Sequence, residues 1–332
     1  MFHRILQVLA DGQPHTVKEL TSKLAVSPTK LEHFIKTLIT YGVEFSSLAA
    51  PTYQLSEELE LLEYHCLRAQ IPEYTRQQIA YLEILDRVDS TNQYVLTQEQ
   101  HPVPFVCLAE YQTAGRGRQG RQWVSPYASG LCLSIKQHYT RFNYSLGGLS
   151  IALAITVARL LYAIGVHEVS LKWPNDIIWR NRKLAGLLLE TRIRNYCDEI
   201  VIGIGINVRM PMIELKNISQ PWVDLQTILG QPISRNTLAA MLIEHCLQTL
   251  TSYSQDGLTT FISDWYRFDL LYGQLVTLEH STPDSNSVSK KTQPRVVAVT
   301  GKACGIDEQG ALLLQVGNSK QSYSYGEARI RV

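Results

Sequence analysis

Residues 112–123 carry three arginines that alternate with three glycines and end in Trp123. Glycine lets the backbone approach a ligand closely, and arginine offers paired donors that match phosphate and carboxylate oxygens. The indole adds a flat face on which a purine could stack. The alternatives are an arginine–glycine RNA-binding segment or a flexible basic loop, but the pattern occurs once, between two apolar strands. The stretch therefore predicts an anion site, although it lacks the GxxxxGK[ST] pattern of a Walker loop.

Residues 172–176 read Lys-Trp-Pro-Asn-Asp and lie between two short apolar stretches that are predicted strands. The second of these strands and the stretch 183–190 form a predicted hairpin, in which Asp176 and Lys183 flank the turn and can face each other. A surface ion pair of this kind would stabilise the fold little. The density of polar positions beside apolar strands favours a chemical role instead. These positions are Lys172, Asn175, Asp176 and Lys183.

Two further patterns are weaker when each is taken alone. Gly203 and Gly205 lie in a predicted strand that ends at Asn207, and glycines in strands indicate close packing or the approach of a ligand. The pattern is not GxGxxG and no helix is predicted after it, so we reject a dinucleotide site. Residues 89–92, Asp-Ser-Thr-Asn, precede a predicted helix and are typical of a helix cap. Their alternative role is to bind a polar ligand head such as a ureido group.

The first 55 residues predict a small helical module. Apolar residues recur at helical spacing in three stretches, and Ser27 predicts an N-cap with Pro28 at the first helical position. Residues 45–55 predict a hairpin, or wing. This order is the winged helix-turn-helix pattern, which plain three-helix protein-binding modules share in part. The three helical stretches are 2–9, 17–24 and 31–39.

The charge of this module is nearly balanced. Its five basic and four acidic residues leave a net charge of +1, which is weak for a surface that must neutralise several phosphates. Glu32 would repel phosphate unless it accepts a hydrogen bond from a cytosine. The positions predicted to contact DNA are Ser27, Thr29, Lys30, His33 and Lys36.

Composition and cysteine use lead us to expect a cytoplasmic protein. Hydrophobic residues make up 45% and charged residues 18%, with a net charge of +1, which argues against global disorder and against a general affinity for nucleic acid or membrane. The six cysteines are scattered without a CxxC pair, as in a reduced protein that has no zinc module. We expect no signal peptide, because the sequence turns polar at Asp11. No apolar run reaches the roughly 20 residues of a membrane helix.

The distribution of polar and apolar residues changes after the helical module. Residues 56–80 are polar, begin with an acidic patch, and predict a linker helix followed by a turn near Pro72. Beyond them the stretches 105–109 and 131–135 predict strands, and the long apolar stretch 146–164 predicts a helix. The polar stretch 281–294 predicts a disordered insertion.

Together the four motifs resemble those of biotin–protein ligases, in particular the bifunctional ligases that are also biotin-operon repressors. Their order is STN, Q-x-x-G-R-G-R-x-G-R-x-W, KWPND, K-L-x-G and G-I-N. The resemblance extends along nearly the whole chain, and residues 305–312 and 326–327 are similar to the family's C-terminal barrel. It implies an α+β protein with a central mixed sheet like that of class II synthetases. The implied segments are a winged helix-turn-helix DNA-binding domain at 1–60, a linker at 61–80, a catalytic domain at 81–270 and an SH3-like β-barrel at 271–332.

The resemblance implies that biotin and ATP, with Mg²⁺, form biotinyl-5′-AMP, and that biotin then passes to a lysine of the biotin carboxyl carrier protein of acetyl-CoA carboxylase. It also implies repression at biotin operator DNA and a homodimer in the adenylate-bound state, with no membrane partner and no metal ligand from the protein. The implied catalytic residues are Lys183, Asp176, Arg118 and Lys172. The implied biotin site comprises Ser90, Thr91, Asn92, Gln112, Arg116, Gly117, Arg118 and Lys183. The implied ATP site comprises Arg116, Arg118, Arg121, Trp123, Asn175 and Asn207.

Two departures from the family pattern concern the predicted DNA-binding domain. Residues 27–30 lack the arginine that the repressors carry in the first turn of the recognition helix, and the wing at 49–53 lacks the lysine of their Gly-Lys-Gly-Tyr pattern. Both departures predict weaker operator binding. The alternative functions are a biotin-sensing regulator without ligase activity and a lipoate ligase or octanoyl transferase. Lys183 and Asp176 argue against a pure sensor, and the arginine–glycine stretch favours biotin over lipoate.

Overall fold

The polypeptide divides into two units in the computed structural model, which describes residues 1–47, 52–139, 144–192, 198–211, 218, 220–282 and 295–330. The first unit comprises Met1–Tyr139 and Leu184–Glu244, and the second comprises Thr140–Lys183 and His245–Val332. The predicted catalytic segment, 81–270, therefore contributes to both units, and its predicted boundaries differ from this division.

The N-terminal segment forms the three predicted helices and a small sheet. Thr16 and Ser27 cap the second and third helices, because their hydroxyls accept from the N–H groups of Glu19 at 3.1 Å and Lys30 at 3.3 Å. Wing positions 49–51 lie outside the described residues. The elements are α1 (Phe2–Leu9), β1 (His15–Thr16), α2 (Val17–Leu24), α3 (Pro28–Thr40), β2 (Phe45–Ser47) and β3 (Thr52–Leu55). The strands lie in the order β1-β3-β2 and are antiparallel.

Tyr41 joins the end of α3 to the remainder of the first unit. Its ring stacks on that of Tyr111 with centroids 4.2 Å apart, and its hydroxyl accepts from Arg87 at 2.7 Å. Its carbonyl accepts from the N–H of Tyr127 at 2.8 Å. Tyr127 also belongs to the buried apolar cluster of the helical module, so the module shares a core with the segment that follows the arginine–glycine stretch.

The acidic segment 57–63, which was predicted to begin a linker helix, forms no helix: Glu57 lies in a bend and residues 58–63 have no regular secondary structure. Its backbone groups bind residues that are distant in sequence: the Leu62 N–H donates to Glu110 at 2.5 Å, and Arg235 donates to the Glu60 carbonyl at 2.8 Å. A helix would need the same donors and acceptors for its own turns, so these contacts oppose a helix in this segment. Helices α4 (Tyr64–Gln70) and α5 (Glu73–Gln78) follow, on either side of the predicted turn at Pro72.

The remaining elements include the strands predicted at 105–109 and 131–135 and the long helix predicted at 146–164, all of which are confirmed. In chain order the elements are β4 (Tyr81–Leu85), α6 (Thr91–Thr97), β5 (Phe105–Ala109), β6 (Gly130–Tyr139), α7 (Leu146–Ala163), β7 (Val169–Lys172), β8 (Asp176–Trp179), β9 (Arg182–Arg192), β10 (Asp198–Asn207), α8 (Leu225–Leu229), α9 (Arg235–Asp256), α10 (Ile262–Phe268), β11 (Leu275–Thr282), β12 (Arg295–Ile306), β13 (Leu312–Val316), β14 (Ser319–Tyr323) and β15 (Glu327–Ile330).

The main sheet of the first unit has the strand order β4-β5-β6-β10-β9. Strands β4 and β5 are parallel and the other neighbours are antiparallel, so the predicted mixed sheet is confirmed. All five residues of β5 are buried, which explains why this strand is a continuous apolar run. Helix α6 lies against β6 and β10 and carries Thr91 and Asn92 of the STN motif to one face of the sheet.

Helix α7 forms much of the core of the second unit. Among the described helices it is the one long and apolar enough to cross a membrane by length and composition, but 67% of its 18 residues are buried inside the protein, which is typical of a core helix. Strands β7 and β8 pair antiparallel. The C-terminal sheet is antiparallel, with the order β14-β13-β12-β11-β15. Most of the predicted insertion, 283–294, lies outside the described residues.

Candidate active site

The arginine–glycine stretch forms a short hairpin. The N–H of Gly117 donates to the Arg121 carbonyl at 2.7 Å, and the N–H of Trp123 donates to the Gly115 carbonyl at 2.9 Å. A Cβ at Gly115 would overlap the Trp123 carbonyl, so this glycine is needed for the two arms to meet. Arg118 begins the tip of the hairpin and is half-buried. The alternation of glycine and arginine thus produces a folded hairpin, with Arg116 in one arm and Arg118 at the start of the tip.

The two glycines of β10 leave room for side chains of the predicted site. A Cβ at Gly205 would be 2.5 Å from the indole of Trp123, and a Cβ at Gly203 would overlap the amide of Asn92. Because alternate residues of a strand share a face, Trp123 and Asn92 lie side by side on one face of the sheet. The glycine pattern, which alone indicated only packing, therefore positions two residues of the predicted site.

A buried hydrogen-bond network joins the STN motif to Gln112. The side-chain oxygen of Gln112 accepts from the Thr91 N–H at 2.8 Å and from the Thr91 hydroxyl at 3.2 Å. The Ser134 hydroxyl lies 2.7 Å from the Thr91 hydroxyl and 2.6 Å from Oδ1 of Asn92. Ser90 caps α6, as the simpler interpretation of the motif predicted. These side chains offer fixed donors and acceptors with little solvent around them, which suits an uncharged polar ligand head.

Ser134 was missed by the sequence analysis, although it is fully buried on β6 opposite Gly203. The available signal was one hydroxyl within the otherwise apolar stretch 131–135. Cys132, on the same face, accepts from the Gln112 amide at 3.2 Å. Burial raises the pKa of the Cys132 thiol to about 11, so it stays neutral near pH 7 and is a poor nucleophile.

Glu190 was also missed, and it connects the network to the arginine hairpin. Its carboxylate lies 2.6 Å from Nη2 of Arg116 and accepts from Nδ2 of Asn92 at 2.9 Å. The other terminal nitrogen of Arg116 donates to the side chain of Gln93 at 2.7 Å. The sequence signal was an acid at the end of the predicted apolar stretch 183–190.

Asn207 has a structural contact in addition to its predicted role at the nucleotide. It is buried at the end of β10, and its side-chain amide donates to the Val223 carbonyl at 3.1 Å. This bond holds the segment before α8 against the sheet. The assignment of Asn207 to the ATP site stays a prediction.

The second unit contains the predicted pair at the turn between β8 and β9. Nζ of Lys183 lies 2.6 Å from Oδ1 of Asp176, and both side chains are mostly buried, so the predicted facing arrangement is confirmed. Lys172 pairs with Asp176 in the register of β7 and β8. Trp173 is buried and its indole N–H donates to the Gly310 carbonyl at 3.0 Å, which anchors the KWPND turn to the C-terminal part of this unit. Asn175 lies in that turn.

The predicted DNA-contact residues lie at the start and along one side of α3. Thr29, Lys30 and His33 are exposed, whereas Ser27 uses its hydroxyl as the cap of the helix. Lys36 is paired with Glu32 at 2.7 Å, with both side chains largely in solvent. The pairing lowers the pKa of the Glu32 carboxyl, so at neutral pH the acid stays charged within this surface.

The predicted ligand residues are thus distributed over both units. Across the described ranges, no group of three or more His, Cys, Asp or Glu side chains could hold a metal ion. The first unit carries one set of predicted residues: Ser90, Thr91, Asn92, Gln112, Arg116, Gly117, Arg118, Arg121, Trp123 and Asn207. The second unit carries the other set: Lys172, Asn175, Asp176 and Lys183.

Comparison with known proteins gives consistent matches along the chain. The model of the Biotin/lipoate A/B protein ligase family matches residues 84–207, and that of the Biotin protein ligase C terminal domain matches residues 295–331. The bifunctional ligase/repressor BirA of Escherichia coli is 33% identical over 330 residues, which cover 99% of this chain and 96% of that protein. The biotin–[acetyl-CoA-carboxylase] ligase of Mycobacterium tuberculosis is 28% identical and covers 74% of this chain and 87% of its own length.

A solved structure agrees with these matches. The biotin protein ligase from Aquifex aeolicus in complex with biotin and ATP has a TM-score of 0.63 and 26% identity, and the match covers 76% of this chain and 98% of that chain. A relative above 30% identity along almost the entire length, two matching family models and this structural likeness agree with the motif geometry. The chain belongs to the biotin protein ligase family and is an enzyme of that kind.

Proposed function

We propose that this ligase converts biotin and ATP into biotinyl-5′-AMP and transfers the biotinyl group to a lysine of the biotin carboxyl carrier protein of acetyl-CoA carboxylase. The observation that carries the proposal is the single network that joins Thr91, Asn92, Gln112 and Arg116, from two separate motifs, on one face of a sheet. The name of the relative from M. tuberculosis supports the acceptor.

In this proposal the buried end of the network holds the uncharged ureido head of biotin. Thr91, Asn92 and Gln112 supply the donors and acceptors, supported by Ser90 and by the backbone at Gly117. Buried polar groups that lack a ligand partner are costly, and groups fixed in advance lose little entropy on binding. The network therefore favours a ligand that carries both N–H and C=O groups at one end.

The charged groups suit the first chemical step. One oxygen of the biotin carboxylate forms a bond to the α-phosphorus of ATP, while the bond from that phosphorus to the pyrophosphate oxygen breaks. Because two anions meet in this step, cations must offset their repulsion. We assign the carboxylate to Lys183 and the adenosine end to Trp123, Asn175 and Asn207. Arg116 and Arg118 are assigned both to biotin and to the phosphates, and Arg121 is assigned to the phosphates alone.

The second step transfers the acyl group. The acceptor amine attacks the acyl carbon of the mixed anhydride, the bond from that carbon to the AMP oxygen breaks, and the amine loses a proton. A carboxylate has two oxygens, so Asp176 can hold Lys183 through Oδ1 and accept or orient that proton through Oδ2. Lys172 faces Asp176 across the strand pair and adds positive charge beside it.

Mg²⁺ belongs to the proposal as the ion that accompanies ATP. It usually binds through substrate phosphates, waters and one or two carboxylates, and within the described residues no larger acidic cluster would hold it alone. When bound, it would offset phosphate charge. The side chains assigned here bind and orient biotin and ATP.

The test is incubation of the full chain with biotin, Mg-ATP and a biotin carrier domain, read by mass spectrometry. We expect a carrier heavier by one biotinyl group, biotin-dependent pyrophosphate release, and no product when lipoate replaces biotin. Pyrophosphate release that depends on lipoate, or biotin binding without pyrophosphate release, would overturn the proposal and support the acyltransferase or the sensor instead.

We further propose that residues 1–60 are a winged helix-turn-helix that represses a biotin operon in the adenylate-bound homodimer, with residues 61–80 as a connecting segment. The observations in support are the exposed Lys30 and His33 on α3 and the name of the E. coli relative. We also propose an SH3-like barrel for residues 271–332, a catalytic domain at 81–270 and a cytoplasmic location.

The operator proposal is tested by titrating the full chain on candidate operator DNA with and without biotin and Mg-ATP. Because the module carries a net charge of only +1, one module alone supplies little electrostatic affinity. We expect tight binding only when both ligands are present, together with a dimeric mass. Tight binding by the ligand-free monomer would contradict the proposal.

A further inference from the structure

Glu190 lies at the junction of two motifs that are distant in sequence. One carboxylate oxygen is 2.6 Å from Arg116 in the hairpin, and the other accepts from Asn92 at the start of α6 at 2.9 Å. The side chain of Glu190 is only 17% exposed, whereas that of Arg116 is 41% exposed. The acid is therefore mostly enclosed beneath an arginine that is open to solvent.

The strand register places Glu190 on the face that carries the network. Glu190 pairs with Val201 of β10, two residues before Gly203, and Gly203 pairs with Ser134 of β6. Directly paired residues and alternate residues along a strand share a face, so Glu190, Gly203 and Ser134 lie on the same side of the sheet. Glu190 thus belongs to the same surface as the groups assigned to biotin.

A carboxylate can only accept hydrogen bonds, and this property fixes the orientation of Asn92. The NH₂ group of Asn92 must face Glu190, so its oxygen faces the Ser134 hydroxyl, at 2.6 Å. The Leu188 carbonyl accepts from the same NH₂ group at 3.3 Å and favours the same orientation. Glu190 supplies the shorter, charged bond, and a glutamine at position 190 would weaken this preference because it could present either an oxygen or an NH₂ group.

Arg116 is held at both ends of its guanidinium. One terminal nitrogen contacts Glu190 and the other donates to Gln93 at 2.7 Å. A guanidinium has five N–H donors, so it can keep these two bonds and still bind a ligand. An exposed arginine has high side-chain entropy, and the two bonds reduce what it would lose on binding a ligand.

We propose that Glu190 is a positioning residue of the biotin site, which orients Asn92 and holds Arg116 before the ligand enters. This inference rests on the proposed assignment of Asn92 and Arg116 to biotin. It predicts that Glu190 governs the affinity for biotin and has little effect on the rate of the chemical steps once the site is filled. A partly exposed ion pair contributes little to folding, so affinity and stability should separate.

The experiment measures biotin affinity by calorimetry, together with KM for biotin and kcat of ligation, for the wild type and for Glu190→Gln, Glu190→Ala and Arg116→Ala. We expect Glu190→Ala to weaken biotin binding about tenfold, with kcat at saturating biotin within about twofold of the wild type. Glu190→Gln keeps the shape of the side chain and loses its charge, so its biotin affinity should lie between those of the wild type and Glu190→Ala. This variant also tests the inference if Glu190→Ala does not fold.

A matched control uses the ion pair between Arg192, on the same strand, and Glu99. Glu99→Ala removes a glutamate–arginine contact of similar chemistry that involves no motif residue, and it should leave biotin affinity unchanged. The double variant Glu190→Ala/Arg116→Ala should lose less biotin affinity than the sum of the two single losses. In that variant the alanine at position 116 replaces an arginine that Glu190 no longer holds in place.

The outcomes distinguish the inference from the proposed function. If Arg116→Ala weakens biotin binding while both Glu190 variants bind like the wild type, the positioning role is wrong and the biotin site stands. If a Glu190 variant and Glu99→Ala lower biotin affinity equally, the loss comes from a general disturbance of strand β9, and the inference also fails. If no variant, including Arg116→Ala, changes biotin affinity, the assignment of the site is itself wrong.

Discussion

Lys183 combines a short ion pair with a position at the edge of a strand, where a ligand carboxylate could exchange with or join Asp176. We expect Lys183→Ala to slow biotin-dependent pyrophosphate release by about 100-fold or more, because one preorganised cation is lost where two anions meet. The measurement is pyrophosphate release in the absence of the carrier domain. Release near the wild-type rate would show that Lys183 does not hold the carboxylate.

Asp176→Asn is the contrasting variant for that experiment. It removes the partner of Lys183 without removing the cation, so adenylation should persist while transfer to the carrier slows. If both variants lost the first step equally, the two residues would act only as a structural pair, and the separate roles assigned to them would be wrong.

The sequence could predict residues such as Lys183 because they interrupt apolar strands at motif positions. It could not predict Ser134 and Glu190, because a single serine or glutamate in an apolar strand has no periodicity of its own. Their roles depend on strand register: Ser134 lies opposite Gly203, and Glu190 lies two positions from the residue paired with Gly203. Register is a property of the folded sheet, and a shift by one residue would turn both side chains to the other face.

Among the local elements, we expect the arginine hairpin to govern how long the adenylate is retained. We expect Arg118→Gly to release biotinyl-5′-AMP at least about tenfold faster, because charge-assisted hydrogen bonds of roughly 1.5–3 kcal/mol are lost and the tip gains backbone freedom. Adenylation should continue, since Arg116 and Lys183 remain. The measurements are the dissociation rate of the adenylate and the biotin found on bystander proteins.

The hairpin supplies its own control at the next residue. Gln119 has φ of +54°, a conformation that glycine adopts freely, so Gln119→Gly adds a glycine without removing charge or introducing strain. It should retain the adenylate like the wild type. If Gln119→Gly leaked as fast as Arg118→Gly, loop stiffness rather than the guanidinium would be responsible.

The connection between α1 and α2 contains a histidine between two acids. His15 lies 2.9 Å from Asp11 and 3.0 Å from Glu19. Burial opposes protonation, but the two hydrogen bonds outweigh it and raise the pKa of His15 above 6.5. The protonated form therefore stabilises the fold fully below about pH 6.5, and this contribution is lost as the pH rises through the raised pKa.

We expect the urea midpoint of the full chain to fall as the pH is raised from about 6 to about 8, and to fall less in His15→Gln. The acids do not confound this window, because the hydrogen bond from His15 lowers the pKa of Asp11 and that from Lys23 lowers the pKa of Glu19. Equal pH dependence in the two proteins would mean that another group titrates.

Helices and strands could be predicted where residues close in sequence determine where they begin and end. Ser27 and Pro28 identified the start of α3 because capping acts within one turn. The segment 57–63 was wrongly expected to start a helix because its conformation depends on Glu110 and Arg235, which are far away in sequence. No local pattern indicates that a distant arginine will take the carbonyl that a helix would need.

At the scale of the whole chain, the buried pair of Arg235 and Glu110 ties together segments that lie far apart in sequence. Their side chains are 4% and 0% exposed and lie 2.7 Å apart, and Arg235 also donates to the Gly130 carbonyl. We expect Arg235→Met to destabilise the protein by about 3–5 kcal/mol in urea unfolding, because Glu110 would be left charged and buried.

The control for this variant is Arg209→Met, which removes an ion pair with Glu57, a carboxylate that is 59% exposed. That change should cost less than about 1 kcal/mol. The double variant Arg235→Met/Glu110→Met should recover part of the loss, because the uncompensated charge is gone. If Arg235→Met lowers the free energy of unfolding as little as Arg209→Met does, Glu110 must bind another partner or become protonated.

The glycines of β10 also restrict how this sequence can diverge. Gly205 has no room for a Cβ because the indole of Trp123 lies against it. Gly203 has no room for a Cβ because the side-chain amide of Asn92 lies against it. A related sequence could therefore have a larger residue at position 205 only if position 123 carries a smaller one, and the same holds for positions 203 and 92. We expect each of these pairs of positions to vary together in related sequences, and single substitutions at either glycine to be rare.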